Sequence, residues 1–64
     1  MKNKIKILRA EKELTQGQLA EKLEVSRQTI NAIEKGKFDP SLPLAFKLSK
    51  LFERTIEEIF QNEI

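Results

Sequence analysis

The chain contains no cysteine and no histidine. Without thiols no disulfide can form, and without either residue the usual structural zinc site is excluded, so stability must come from packing and helix caps, with or without a partner subunit. Glycine occurs only at Gly17 and Gly36, which rules out a glycine-rich phosphate loop. Long apolar runs are missing as well. Ile7 and Leu8 form the longest apolar pair before Arg9, far short of what a signal peptide or a membrane span needs. A soluble, cytoplasmic protein is expected. With no histidine, Ser26, Ser41 and Ser49 have no imidazole base. Glu57 and Glu58 adjoin in sequence, so on a helix their side chains point about 100° apart and form no carboxylate dyad. Catalysis is the weakest reading, and no metal, cofactor or small-molecule ligand is implied.

What is present is short and charged. Sixty-four residues make one domain, residues 1–64, and a chain of this size buries only about 60% of its unfolded surface. The net charge is only +2, but it is unevenly spread. Lys2, Lys4, Lys6, Arg9 and Lys12 against Glu11 give the first twelve residues +4. Glu53, Glu57, Glu58 and Glu63 against Arg54 give the last twelve −3. A polyanion would be repelled by that second segment, so a nucleic-acid face should exclude the C-terminal end.

The patterning predicts helices separated by short punctuation and no strand, an all-α fold. Ile5, Leu8 and Ile7 predict a first helix over Lys4 to Lys12. Thr15-x-x-Gln18 is a capping box that starts a second helix at Gln16, with Leu14 and Leu19 placed to close as a hydrophobic staple. That helix buries Leu19, Ala20 and Leu23. Only three residues later Ser26 offers another N-cap, with Val25 and Ile30 as its staple, so a third helix runs from Arg27 to Lys35 and ends at Gly36. Ser41 caps a fourth helix whose early Pro43 falls where a missing donor does no harm. Leu44, Ala45, Leu48, Leu51 and Phe52 make this the central core helix. Thr55-x-x-Glu58 is a further capping box for a short fifth helix carrying Ile56, Ile59 and Phe60.

The informative segment is Gln16 to Lys35, two helices with a three-residue break at Glu24-Val25-Ser26. Helices so closely joined must meet at short range, with Ala20 as the small residue at the junction. Ile30 and Ile33 then face inward, which leaves Arg27, Gln28, Asn31 and Ala32 outward on a rigid support. Arg makes paired hydrogen bonds to guanine in the major groove, and Gln or Asn does the same to adenine. Gln16, Lys35, Lys37 and the helix start at Ser41 and Leu42 are placed to meet phosphates beside the groove.

At these residues the chain resembles the Cro/CI-type (XRE) helix-turn-helix proteins, the family that includes the phage lambda repressor. The resemblance is carried by Leu14-Thr15-Gln16, Leu19-Ala20, Leu23, Val25 through Ile30, Ile33 through Lys37 and Pro40-Ser41, and it extends from about Ile5 to Phe60. It is strongest to short stand-alone bacterial and phage regulators ending in Ile-Glu-Glu-Ile-Phe, here Ile56 to Phe60. It implies a compact five-helix lambda repressor-like domain, binding of double-stranded DNA as a homodimer, and transcriptional control. It assigns Arg27, Gln28 and Asn31 to base or near-base contact, Ala32 to a position often used for bases, and Gln16, Lys35, Lys37 and Ser41 to phosphates. The family usually has glycine where Glu24 and Glu13 stand, so a positive φ at Glu24 would cost roughly 1 kcal/mol.

Two readings of the C-terminal end follow. Residues 55–64, through Phe60 and Ile64, could join two subunits, since one short module makes too few contacts for tight specific binding. Alternatively Ile56, Ile59, Phe60 and Ile64 could form the contact surface of a helical interaction module, such as an antitoxin-type partner protein.

Overall fold

The computed structural model describes residues 1–61. Five helices follow in order: α1 (Ile5–Glu11), α2 (Gln16–Leu23), α3 (Arg27–Glu34), α4 (Leu42–Phe52) and α5 (Ile56–Ile59). All five occur where the patterning places them. α1 is shorter than predicted by one residue at each end, and α3 stops at Glu34 with Lys35 as its cap. Among the described residues there is no strand, only an isolated antiparallel bridge between Asn3 and Phe60. None of these helices is long and apolar enough to cross a membrane.

Each helix after the first starts on a hydroxyl. The Thr15 hydroxyl accepts from the Gln18 amide at 3.0 Å, and the Gln18 side chain returns the favour by accepting from the Thr15 amide at 2.9 Å. Thr55 and Glu58 repeat this exchange at 3.1 and 2.9 Å. Ser26 caps α3 and Ser41 caps α4, accepting from the Thr29 and Leu44 amides. A cap of this kind contributes about 1 kcal/mol. The Thr55 amide, and after it the Thr55 hydroxyl, hold the Glu58 carboxyl below its ordinary value of 4.5.

The first four helices also end alike. In each, a left-handed residue follows the helix and the next amide reaches back five residues: Leu14 to Arg9, Val25 to Ala20, Lys37 to Ala32 and Arg54 to Ser49. The left-handed residues are Glu13, Glu24, Gly36 and Glu53, with φ of 56°, 60°, 73° and 55°. This is the Schellman arrangement, which satisfies the orphan carbonyls of the last turn. Only one of the four is glycine. A Cβ at residue 36 would stand 3.4 Å from the Met1 carbonyl oxygen, so here the passing N-terminal segment adds a second demand for glycine.

The core gathers one face from every helix. Ile5 and Leu8 of α1, Leu19, Ala20 and Leu23 of α2, and Ile30 and Ile33 of α3 meet Leu44, Ala45, Leu48 and Phe52 of α4. Leu14, Val25, Leu51 and Ile56 pack on its edge, the first two as the expected staples. Ile7 departs from the predicted pattern and is 60% exposed. Phe60, one of the two residues expected to join subunits, is largely buried in its own chain's core along with Ile59. The reason is backbone geometry. After α5 the chain straightens at Phe60 (φ −110°, ψ 137°) and lies beside Asn3, with the Lys4 amide donating to the Ile59 carbonyl and the Gln61 amide to the Lys2 carbonyl, both at 2.8 Å. Ile59 is fully buried, and what remains of the Phe60 surface lines a shallow groove with Pro40, Leu42 and Ile56. Ile64 lies outside the described residues.

Candidate nucleic-acid interface

The junction of α2 and α3 is built as the sequence implies. The Val25 amide donates to the Ala20 carbonyl at 3.0 Å and the Glu24 amide to the Glu21 carbonyl at 3.2 Å, with Glu24 left-handed between them. Ala20 is buried at the crossing, where a larger side chain would push the helices apart. Val25 tucks against the core on one side of the Ser26 cap, and Ile30 is fully buried on the other.

With Ile30 and Ile33 fixed inward, helical geometry dictates the rest of α3. At 100° per residue, Arg27, Asn31, Gln28 and Ala32 fall within an arc of about 140° on the side away from the two isoleucines. Arg27 and Gln28 are exposed, and Asn31 and Ala32 are half-buried. Among the described residues, none of the Arg27, Gln28 and Asn31 side chains hydrogen-bonds to the protein. The structure thus brings the four sequence-predicted base readers onto one face, with their donors and acceptors uncommitted.

The residues expected at phosphates are placed less uniformly. Lys35, Lys37 and Ser41 are exposed, at the end of α3 and in the loop that leads to α4. Lys35 shares an open cleft with Lys2 and Lys4, so the N-terminal positive charge is carried to the end of α3. The Ser41 hydroxyl accepts from the Leu44 amide, which leaves its proton free to donate. Gln16 is half-buried, and its amide nitrogen donates to the Glu34 carboxylate at 3.0 Å. One of its two N–H bonds is therefore used inside the protein. A second open cleft, lined by Arg9, Thr15, Gln16, Gly17 and Arg27 among others, joins the start of α2 to the start of α3.

Two supports of this face carry no local sequence signal. Glu34 stands in the last turn of α3, where the helix dipole disfavours a carboxylate, and its side chain is only 7% exposed. The Arg9 guanidinium offsets that cost. Its Nε lies 2.8 Å from one Glu34 oxygen and its Nη2 lies 3.3 Å from the other, while Nη1 donates to the Leu14 carbonyl at 2.9 Å. Bidentate pairs of this kind are among the strong charge-assisted contacts. The second support is Asn3, whose side-chain amide donates to the Ile33 carbonyl at 2.8 Å and whose oxygen accepts from the Ile5 amide at 3.2 Å. α1, α2 and the N-terminal segment are thereby tied to the end of α3.

Comparison with known proteins decides the family. A helix-turn-helix family model matches residues 5–59, nearly all of the five-helix core. The chain belongs to the helix-turn-helix family. That class binds DNA and regulates transcription, and it is not a catalytic one. A protein of Methanocaldococcus jannaschii named as an uncharacterized HTH-type transcriptional regulator is 67% identical over 63 residues, covering 98% of this chain and 96% of the relative. YgzD of Bacillus subtilis, named in the same way, is 50% identical over 63 residues, again 98% of this chain and 96% of the relative. BcrR of Enterococcus faecalis, named as an HTH-type transcriptional activator, is 45% identical over 60 residues, 94% of this chain but 29% of that longer protein.

Proposed function

We propose that this helix-turn-helix protein binds a pseudo-palindromic DNA operator as a homodimer and represses transcription by occupying a promoter. In this reading α3 lies in the major groove, and Arg27, Gln28 and Asn31 address base edges with the Ala32 methyl beside them. Gln16, Lys35, Lys37 and Ser41 hold the flanking phosphates and set the register. Half-sites lie about one helical turn, roughly 34 Å, apart. The observation that carries the reading is the exposed face of α3, where three side chains with bidentate base-pairing chemistry stand together without intramolecular partners. A carboxylate-oriented Gln16 keeps one amide proton for a phosphate oxygen, and the lysines at the far end of α3 supply the charge.

In vitro selection from random duplex DNA with the purified protein tests this directly. An enriched palindrome is expected, and a pool without enrichment would contradict sequence-specific binding. The sign of regulation is tested by transcription from a template carrying the selected site, which should fall as protein is added. A rise would make the protein an activator, as the Enterococcus relative is named.

A further inference from the structure

We propose that Glu34 is a positioning residue for DNA binding: paired with Arg9, it aims the Gln16 side chain so that its second amide proton meets a phosphate oxygen. The inference rests on the DNA-binding reading above, and it adds two residues that touch no DNA to those that decide affinity. One carboxylate oxygen of Glu34, Oε1, lies 3.0 Å from Gln16 Nε2 and 3.3 Å from Arg9 Nη2, and the other, Oε2, lies 2.8 Å from Arg9 Nε. The ion pair is set into the protein, while Gln16 stands half-buried at the start of α2. Arg9 also donates from Nη1 to the Leu14 carbonyl, so a single guanidinium fixes both the acceptor of Gln16 and the backbone that leads to it. Arg9, Gln16 and Arg27 line one open cleft between the starts of α2 and α3.

The arrangement divides the work of one planar amide. Its first N–H is committed to Glu34, and its second points about 120° from the first, away from the carboxylate. A free glutamine has several side-chain torsions to settle on binding, and its rotamer entropy is among the largest of any side chain. Here that cost is met when the protein folds, the general route by which a preorganised contact gains affinity. Charge explains why the acceptor is an ion pair rather than a carboxylate alone. A phosphate oxygen on the second N–H would stand about 5 Å from Glu34, close enough for a bare carboxylate to repel it. The Arg9 guanidinium cancels that charge, so the support presents no net charge to the phosphate while still holding Gln16 in place.

Two charge-balanced variants separate positioning from scaffolding. Arg9→Met with Glu34→Gln keeps an acceptor for Gln16, and Arg9→Met with Glu34→Leu removes it; exchanging a buried ion pair for apolar groups of similar size often leaves stability unchanged. Both should show the far-UV circular dichroism spectrum of the wild type. Against the selected duplex the first should bind within about twofold of the wild type and the second about tenfold more weakly, the value of one charge-assisted hydrogen bond. With Gln16→Ala added, the two should bind alike. The same difference between them with and without Gln16 would show that Glu34 acts only on the fold, and would overturn the proposal. The free protein gives a second measurement that needs neither variant nor DNA. Nitrogen relaxation should find the Gln16 side-chain amide nearly as rigid as the α2 backbone and the exposed Gln28 amide far more mobile. Equal mobility at the two would also overturn the proposal. Either contrary result with a wild type that binds DNA leaves the DNA-binding reading standing, whereas a wild type without affinity for any duplex ends both.

Discussion

The start of α3 is held by its neighbours in sequence, and the end of α3 by residues from far along the chain. At the start, the Glu24 corner, the Ser26 cap and the Val25 to Ile30 staple all lie within seven residues. At the end, the Ile33 carbonyl is met by Asn3, and the Glu34 carboxylate by Arg9 and Gln16. The same helix also separates two versions of one corner: Glu24 precedes it and Gly36 follows it, both left-handed. A left-handed glutamate is tolerated where its side chain reaches open solvent, whereas glycine stands where another stretch of backbone passes close by. Direction is therefore given to α3 locally, and its far end is fixed only once the N-terminal segment, α1 and α2 pack against it.

The sharpest way to break this asymmetry is Glu34→Ala. It leaves the largely buried Arg9 guanidinium and the Gln16 amide without their acceptor, and should cost about 2–3 kcal/mol in urea unfolding. A loss below about 1 kcal/mol would mean that long-range ties contribute no more than a local cap. Next come the two corners. Gly36→Ala should cost about 1–2 kcal/mol, from left-handed strain and the close Met1 carbonyl, while Glu24→Gly should gain about 0.5–1 kcal/mol by relieving strain at an open position. Thermal unfolding that moves both variants in the same direction would erase the distinction between them.

The smallest effect concerns the cap of α5, a local device like that of α3. Because the Thr55 amide lowers the Glu58 pKa in the folded state, the carboxylate's contribution is fully present above pH 4.5 and is lost as pH falls through the folded value. Unfolding measured from pH 6 down to pH 3 should show a shallower acid decline for Glu58→Gln than for the wild type. Parallel curves would mean that the cap carries no linked proton.

This asymmetry also explains what could be read from the sequence. Every helix start after the first rests on a hydroxyl that accepts from the amide three residues on, and the core follows a 3.6-residue period, so five helices, the Glu24 corner and the outward face of α3 were all legible. Glu13 and Glu24 stood out as departures from the family's glycine, whereas the left-handed Glu53 carried no such signal. Asn3 and Glu34 could not be recognised as supports. Their partners are 30 and 25 residues distant, and no local period connects them. Helical spacing carries α5 through Phe60, one residue past the point where the chain turns extended and pairs with Asn3. Leu42 and Phe46 are 63% and 58% exposed, and within so apolar a helix nothing in the spacing separates them from its buried residues.

Equilibrium titration of Arg27→Ala and Lys37→Ala against the selected duplex and a scrambled one, at several salt concentrations, bears most directly on α3 as the reader. Arg27→Ala should lose roughly 1–3 kcal/mol of discrimination between the two duplexes with unchanged thermal stability, whereas Lys37→Ala should weaken both equally and reduce the salt slope by about one. An Arg27→Ala protein that binds and discriminates like the wild type would contradict the assignment.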